Sequence, residues 1–120
     1  MLNLDTHILV YTLDQDLLTS HEREALRLEP WGISAIVLWE IEMLFARGRI
    51  RYGLDHQRMA GLLRQVRIWP ISKEICLRLR DLDFRSDPAD ELIAATSLVH
   101  GVALVTRDGR IRASRLVRCL

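Results

Sequence analysis

The sequence predicts an α/β fold: a three-layer α/β/α sandwich around a central parallel sheet. Short apolar runs alternate with longer segments of helical periodicity along the whole chain, a pattern typical of parallel strands joined by crossover helices. Hydrophobic residues make up 49% of the 120 residues, which allows one core without disulfide support. Neither a linker nor an internal repeat divides the chain, so residues 1–120 are expected to form a single domain.

The first half of the chain holds two predicted strands and four predicted helices. The strands are expected at 2–4 and 31–34, and the helices at 7–15, 19–28, 35–48 and 56–66. Thr19, with Glu22 three residues later, forms a capping box. Ser34 and Asp55 are expected to cap the helices that follow them, and Gly48 is expected at the end of the helix that starts at 35.

The second half holds three predicted strands and two predicted helices. The strands are expected at 67–72, 102–106 and 115–120, and the helices at 73–82 and 88–100. Pro70 favours an edge position for its strand because proline has no N–H to donate, and Ser72 is expected to cap the next helix. Asp87 as N-cap, Pro88 in the first turn and Gly101 beyond the last residue agree on the limits of 88–100.

Composition and charge leave several classes of partner open. The formal net charge is +1, and of the 17 basic residues all but Lys73 are Arg. Arginine suits phosphate and carboxylate recognition, although a genome rich in Arg codons explains the same usage. Cys76 and Cys119 show no metal-binding spacing and are expected to be free core thiols in a reducing compartment. The N-terminal segment shows no signal peptide or membrane span, so a cytoplasmic protein without a membrane partner is expected.

Four acidic residues fall where this fold would bring them together. Asp5 and Asp108 each follow a predicted strand, and open parallel sheets bind ligands beyond the carboxyl ends of their strands. Glu40 lies on an aliphatic face of its helix, and Asp90 shares its helix face with inward-pointing residues. All four side chains are therefore candidates for one acidic cleft.

Each acid also has a simpler explanation. Asp5 lies where a turn residue or helix cap is common, and Asp108 begins an Asp-Gly pair typical of turns. Glu40 has Arg47 further along the same helix as a candidate ion-pair partner. Asp90 lies in the first turn of its helix, where the helix dipole favours an acid by about 0.3–1 kcal/mol.

Three neighbouring acids are expected to lie outside the cleft. Glu42 is on roughly the opposite side of its helix from Glu40 and is expected to face solvent. Asp87 is expected to act only as a helix cap. Glu91 is rotated about 100° from Asp90 around the helix and is also expected to face solvent.

A cluster of ionised carboxylates requires a cation. Two such groups about 5 Å apart repel by on the order of 3 kcal/mol at an effective dielectric of about 20. Oxygen ligands favour Mg²⁺ or Mn²⁺ over zinc, and these ions support hydrolysis of phosphodiesters. The residues therefore indicate a divalent-metal centre for phosphodiester hydrolysis.

Other hydrolase and signalling classes fit the sequence poorly. A response-regulator receiver needs paired acids after the first strand and a late Lys, whereas the one Lys here is Lys73. A phosphatase of the haloacid-dehalogenase type needs a second Asp at the position of His7. No glycine-rich phosphate-binding loop of the G-x-x-x-x-G-K type is present.

Four stretches together resemble the PIN-domain nucleases, and more narrowly the VapC-type toxins of bacterial toxin–antitoxin pairs. They are "LNLDTHILVY", "ISAIVLWEIEML", "DPADELIAATSLVHG" and "LVTRDGRI". The resemblance implies a three-layer α/β/α fold, metal-dependent endoribonuclease activity on single-stranded RNA, a homodimer, and an antitoxin protein that blocks the cleft. The alternative is a PIN fold without catalysis that acts as an RNA- or protein-binding regulatory module.

The resemblance also implies roles for individual residues. The acids that would surround Mg²⁺ or Mn²⁺ are Asp5, Glu40, Asp90 and Asp108. Thr106 would orient Asp108 or a water molecule. Relatives commonly carry Arg directly after the third acid, whereas this chain has Glu91. That extra negative charge would change contacts with RNA or antitoxin, or weaken activity.

Two groups of arginines flank the predicted cleft. They are Arg47, Arg49 and Arg51 after one helix, and Arg107, Arg110, Arg112, Arg115 and Arg118 near the C-terminus. Either group would bind RNA phosphates with an affinity that falls as salt rises, or else lie in solvent or in salt bridges. The tryptophans are expected in the core or an interface, and His7 is expected to pack rather than to carry protons.

Overall fold

A central sheet of four parallel strands organises the computed structural model, which describes residues 1–120. The strands are β1 Leu2–Leu4, β2 Trp31–Ser34, β3 Arg67–Trp69 and β4 Ala103–Val105, in the order β3-β2-β1-β4. β1 pairs with β2 through Leu2 opposite Trp31, and with β4 through Leu2 opposite Ala103. β3 is an edge strand, as Pro70 predicts.

Seven α-helices connect and cover the strands. They are α1 Thr6–Tyr11, α2 Ser20–Leu28, α3 Ile36–Ala46, α4 Gln57–Leu63, α5 Lys73–Arg78, α6 Pro88–His100 and α7 Gly109–Arg112, with 3₁₀ turns at Gln15–Leu17 and Leu79–Asp81. Successive strand residues point to opposite faces of a sheet, and every residue of β1 and β4 is buried. Both faces of the sheet are therefore covered, and the predicted three-layer fold is confirmed.

A buried polar side chain fastens β1 to α6. Asn3 is fully buried, and its Nδ2 donates to the carbonyl of Ile93 at 3.0 Å and to Oγ of Ser97 at 2.9 Å. Residues two apart on a strand point to the same side, so the side chain of Asp5 also faces the α6 side of the sheet. Asn3 thereby fixes the distance between the end of β1 and the helix that carries Asp90.

Several predicted caps and helix ends are confirmed. Thr19 and Glu22 form the capping box of α2, and Ser72 caps α5 by accepting the N–H of Ile75 at 3.2 Å. Gly101 ends α6 in the left-handed conformation with φ of 64°, which glycine adopts without steric cost. Gly48 follows α3 with φ of 69°.

Other local predictions are wrong by one residue or more. His56, not Asp55, caps α4, because its Nδ1 accepts the N–H of Arg58 at 3.1 Å. α1 already starts at Thr6 with Asp5 as its cap and ends at Tyr11 rather than at 15. The predicted strand 115–120 forms only a single bridge between Cys119 and Leu104.

The tryptophans and cysteines divide between core and surface. Trp69 is buried, and half-buried Trp31 donates its Nε1 to the carbonyl of Leu26 at 2.8 Å. Trp39 is 56% exposed, outside the core. Cys76 is exposed, so its predicted burial is wrong, whereas Cys119 is half-buried.

No helix is both long enough and apolar enough to cross a lipid bilayer.

We expect Gly32→Ala to lower the free energy of unfolding by about 1–3 kcal/mol, the usual cost of overpacking a core. A Cβ at Gly32 would lie 2.4 Å from Cη2 of Trp69, whose indole is buried and stacks on His100 at a centroid distance of 5.0 Å. Gly61→Ala is the matched control, since its Cβ would approach nothing closer than 3.8 Å and alanine favours a helix by about 0.8–1 kcal/mol. Urea unfolding measures both; equal effects would contradict the packing of Trp69 against β2.

Candidate active site

Asp5 lies at the carboxyl end of β1 and is held on both of its oxygens. Its Oδ1 accepts the N–H of Thr6 at 2.8 Å, and its Oδ2 accepts the hydroxyl of Thr106 at 2.5 Å. Its own N–H donates to the carbonyl of Val105 at 3.0 Å, at the end of the neighbouring strand β4. Asp5 is therefore the cap of α1, as the simpler explanation of its position predicts. Its carboxylate is also fixed between the ends of β1 and β4.

Glu40 reaches the same place from α3. It is half-buried, and its Oε1 accepts the hydroxyl of Thr6. The candidate ion pair with Arg47 is not formed, because none of the salt bridges in the structure includes Glu40. The sequence pattern did not identify Thr6 as a residue of this site. Its position directly after Asp5 was the only feature that could have indicated it. Glu42 on the same helix is exposed, as expected.

Asp90 is the third carboxylate, in the first turn of α6. Its Oδ2 accepts the hydroxyl of Ser86 at 2.9 Å, and Oε2 of Glu91 accepts the backbone N–H of Ser86 at 3.0 Å. Asp87 occupies the N-cap position, but its carboxylate makes no capping hydrogen bond. The expectations for both acids are therefore wrong: Asp87 does not cap α6 with its carboxylate and lines the same cavity as Asp90, and Glu91 is half-buried rather than turned to solvent.

The three carboxylates form one tight group. Ligand oxygens of Asp5, Glu40 and Asp90 lie within 4.8 Å of one another, and all three residues are half-buried. Burial raises the pKa of Glu40, the hydrogen bond from Thr6 opposes that rise, and the charges of Asp5 and Asp90 add to it. No Lys, Arg or His forms an ion pair with any of the three. Three converging oxygen donors without a protein cation suit a hard divalent ion such as Mg²⁺ or Mn²⁺.

Asp90 experiences the same environment from the side of α6. Burial raises its pKa, the hydrogen bond from Ser86 opposes the rise, and the charges of Asp5, Asp108 and Asp87 add to it. Removal of a carboxylate from water penalises its ionised form, and nearby negative charge does the same. The cluster is therefore strained electrostatically as long as all of its members are ionised.

Asp108 lies in the same cavity but outside the tight group. Its Oδ1 accepts the N–H groups of Arg110 at 2.9 Å and Ile111 at 3.0 Å, so it caps α7. Its own N–H donates to Oγ1 of Thr106 at 3.0 Å. Thr106 is almost fully buried and connects the backbone of Asp108 to the carboxylate of Asp5.

The cavity around these acids has a volume of about 450 Å³ and carries little positive charge. Its one arginine, Arg107, donates to both carboxylate oxygens of Glu22, at 2.9 and 2.7 Å. That hydrogen bonding lowers the pKa of Glu22 to about 2, and the guanidinium lies 4.9 Å from the ring centroid of Tyr11. The positive charge of Arg107 is thus compensated by Glu22, and the cavity keeps its negative charge.

His7 stands at the wall of the same cavity. Its ring lies 6.1 Å from that of Tyr11 at an angle of 51°, so it packs against a neighbour as expected. It is nevertheless exposed rather than part of the core.

Comparisons with known proteins identify the family. A family model of the PIN domain matches residues 3–115. The chain belongs to the PIN-domain family. It is 35% identical over 88 residues to ribonuclease VapC22 of Mycobacterium tuberculosis, in an alignment that covers 70% of this chain and 67% of that protein. The predicted resemblance to PIN-domain proteins of the VapC type is confirmed.

Solved structures share the fold over the whole chain. VapBC2 of Rickettsia felis, bound to a DNA fragment from its promoter, matches with a TM-score of 0.74 at 19% identity and covers 100% of this chain and 98% of that one. A toxin–antitoxin complex of Klebsiella pneumoniae matches with a TM-score of 0.68 at 23% identity, covering 94% and 91%. At these identities the likeness establishes a common PIN fold.

We expect Glu40→Gln to stabilise the metal-free protein increasingly as the pH rises. The raised pKa of Glu40 means that the folded protein holds a proton that the unfolded chain releases above its ordinary pKa of 4.5. Stability is therefore lost as pH rises from there through the folded pKa, and glutamine removes this loss while still accepting from Thr6. Thermal unfolding in chelator from about pH 4 to about pH 8 measures the difference from the wild type.

Glu42→Gln is the control, because Glu42 is exposed on the same helix. It should run parallel to the wild type over the whole pH range. A Glu40→Gln difference that does not change with pH would contradict the electrostatic strain at this site.

Proposed function

We propose that this protein is a metal-dependent endoribonuclease that hydrolyses phosphodiester bonds of single-stranded RNA and acts as the toxin of a toxin–antitoxin pair. The observation that carries the proposal is the half-buried group of Asp5, Glu40 and Asp90 within 4.8 Å, without a protein cation. Residues 1–120 would act as one domain, in keeping with the single sheet and one main core cluster.

Asp5, Glu40 and Asp90 would hold the ion, Mg²⁺ or Mn²⁺, and Asp108 would contribute from the rim of the same cavity. When bound, a divalent ion supplies Lewis acidity for hydrolysis at phosphorus. The donor set supports this assignment because it consists of carboxylate oxygens alone.

Neutral hydroxyls hold the carboxylates in place. Thr106 donates to Asp5 at 2.5 Å and Ser86 donates to Asp90 at 2.9 Å, while Thr6 donates to Glu40. These bonds fix oxygen positions without neutralising charge. Oγ1 of Thr106 also accepts the backbone N–H of Asp108 at 3.0 Å, which fixes the position of Asp108 relative to Asp5.

Glu91 bears on the alternative of a non-catalytic module. Its carboxylate accepts the N–H of Ser86 and does not line the acidic cavity. The departure from relatives at this position therefore has a structural explanation that leaves the three carboxylates intact. This supports the enzyme over a PIN fold that only binds RNA or protein.

The relatives support the biological setting. VapC22 is named a ribonuclease, the neighbour from Klebsiella pneumoniae is a toxin–antitoxin complex, and VapBC2 of Rickettsia felis is bound to a fragment of its promoter DNA. An antitoxin protein that covers the acidic cavity is accordingly the partner we propose. A homodimer remains a prediction from the family resemblance.

We expect purified protein without antitoxin to cut single-stranded RNA with Mg²⁺ or Mn²⁺ and not in chelator. Asp5→Asn, Glu40→Gln and Asp90→Asn should each lower the cleavage rate by more than about 100-fold, since weakening even the surroundings of metal ligands costs about 10–100-fold. Glu42→Gln is the matched control, with the same chemical change at an exposed position of α3, and should cut like the wild type. Gel analysis of end-labelled RNA measures the rates.

Thermal shift with added Mg²⁺ or Mn²⁺ separates loss of metal from loss of folding. Ions that bind only the folded state raise the midpoint of unfolding, so the wild type should shift and the three variants should shift less. RNA that binds tightly but is not cut with either ion would refute the enzyme and favour the binding module.

A further inference from the structure

The C-terminal arginines are mostly used inside the protein. Arg107 binds Glu22, Arg110 donates to the carbonyl of Arg85 at 3.2 Å, and Arg112 donates to the carbonyls of Thr106 and Leu120 at 3.1 and 2.7 Å. These guanidinium groups tie chain segments together. Contacts within the chain, which the sequence did not predict, therefore occupy Arg107, Arg110 and Arg112.

A second cavity adjoins the acidic one. Its volume is about 670 Å³, and His7 and Tyr11 line both this cavity and the acidic one, so the two cavities are adjacent. This volume lies within the range of about 300–1,000 Å³ typical of small-molecule sites. Most of its lining is apolar or aromatic, and its charged side chains are three arginines against the single acid Asp14.

The three arginines of this second cavity differ in how they are engaged. Arg58 donates to Oη of Tyr52 at 2.7 Å and to the carbonyl of Leu13 at 2.6 Å, so it shapes the wall. Arg49 and Arg51 are exposed and form no ion pair. Arg51 lies 5.4 Å from the ring centroid of Tyr52. Two guanidinium groups at the wall of this cavity are thus available for a ligand.

We propose that the second cavity binds the nucleotide next to the cleaved phosphodiester of single-stranded RNA, with Arg49 and Arg51 contacting phosphates and Tyr11 and Tyr52 lining the space for base and ribose. The inference rests on the proposed function and assigns its substrate path. An acidic cavity repels a polyanion, and its own arginine is paired with Glu22, so the attraction for RNA must come from an adjoining surface. Aromatic side chains beside cations are the usual composition of single-strand binding sites.

A helix of a partner protein is the other occupant that an apolar cavity would take. The charge distribution favours RNA, because two unpaired arginines face one acid and the cavity lies next to the proposed site of hydrolysis, with His7 and Tyr11 lining both cavities. Binding of a partner protein in this cavity is one of the outcomes that the following test distinguishes.

The test compares Arg49→Gln, Arg51→Gln and the double variant with Arg67→Gln, a control at an exposed position on the edge strand. Full-length protein is assayed by cleavage of end-labelled single-stranded RNA and by fluorescence anisotropy binding of the same RNA in chelator. The double variant should raise KM and Kd by about tenfold or more and leave kcat within about twofold. The dependence of log Kd on log salt should become shallower by about 0.7 for each phosphate that the protein no longer neutralises.

A second pair of variants checks the chemistry of the interaction. Arg49→Lys with Arg51→Lys keeps the charge and should recover most of the affinity, and thermal unfolding should show that all variants are folded. Wild-type protein that binds RNA through these arginines but cuts nothing would refute the proposed function and support only the RNA contact of Arg49 and Arg51. Cleavage and RNA binding equal to those of Arg67→Gln would overturn the inference. Equal cleavage and RNA binding, together with failure of the double variant to bind a co-purified antitoxin, would assign the cavity to a protein instead.

Discussion

The structure depends on one electrostatic constraint, the enforced proximity of Asp5, Glu40 and Asp90. Burial and the charge of neighbouring acids disfavour the ionised forms of Glu40 and Asp90, and the fold compensates with neutral hydroxyl donors rather than with cations. A hydroxyl holds a carboxylate oxygen in place but leaves its charge intact. An arginine in the place of Ser86 would have stabilised the cluster and cancelled its capacity for a divalent ion. Hydroxyl donors therefore leave the negative charge of the carboxylates available for a divalent ion, whereas arginine donors would form a structural ion-pair network.

Strand order explains why these residues meet at this edge. The chain proceeds from β1 to β2 to β3 on one side of the sheet and returns with β4 on the other side of β1. The strand order thus reverses between β1 and β4, and such a switch point opens a crevice beyond the carboxyl ends of the strands. Asp5 directly follows one of these strands, and Thr106 directly follows the other. Their hydrogen bond across the switch point fixes one side of the cavity, and Asn3 fixes α6 below it.

The sequence predicted the four strands of the sheet, the longer helices and the three converging acids because each leaves a local signal, whereas its fifth strand, at 115–120, was wrong. Asp5 follows an apolar run, and Glu40 lies on an aliphatic helix face. What the sequence could not predict are bonds between distant segments, such as Thr6 to Glu40 across 34 residues. Glu91 shows the difficulty: helical rotation placed it away from Asp90, but the chain before Pro88 folds back and brings Ser86 within reach of both acids. Side-chain position there depends on a loop path that periodicity does not encode.

The two adjoining cavities carry opposite charge, acidic in one and basic in the other. This difference divides the proposed roles of hydrolysis and RNA binding between them. The acidic cavity alone would exclude RNA, and the second cavity alone would bind RNA without cutting it. Arg107 could have bridged the two, but it lies over Tyr11 and is neutralised by Glu22, whose pKa of about 2 keeps that pair ionised at any physiological pH. Attraction is thereby left to Arg49 and Arg51, at the wall of a cavity adjacent to the one that holds the carboxylates. Separation of the cations from the acids prevents internal ion pairs that would fill the proposed metal site, and so permits the proposed binding and hydrolysis to coexist in one small fold.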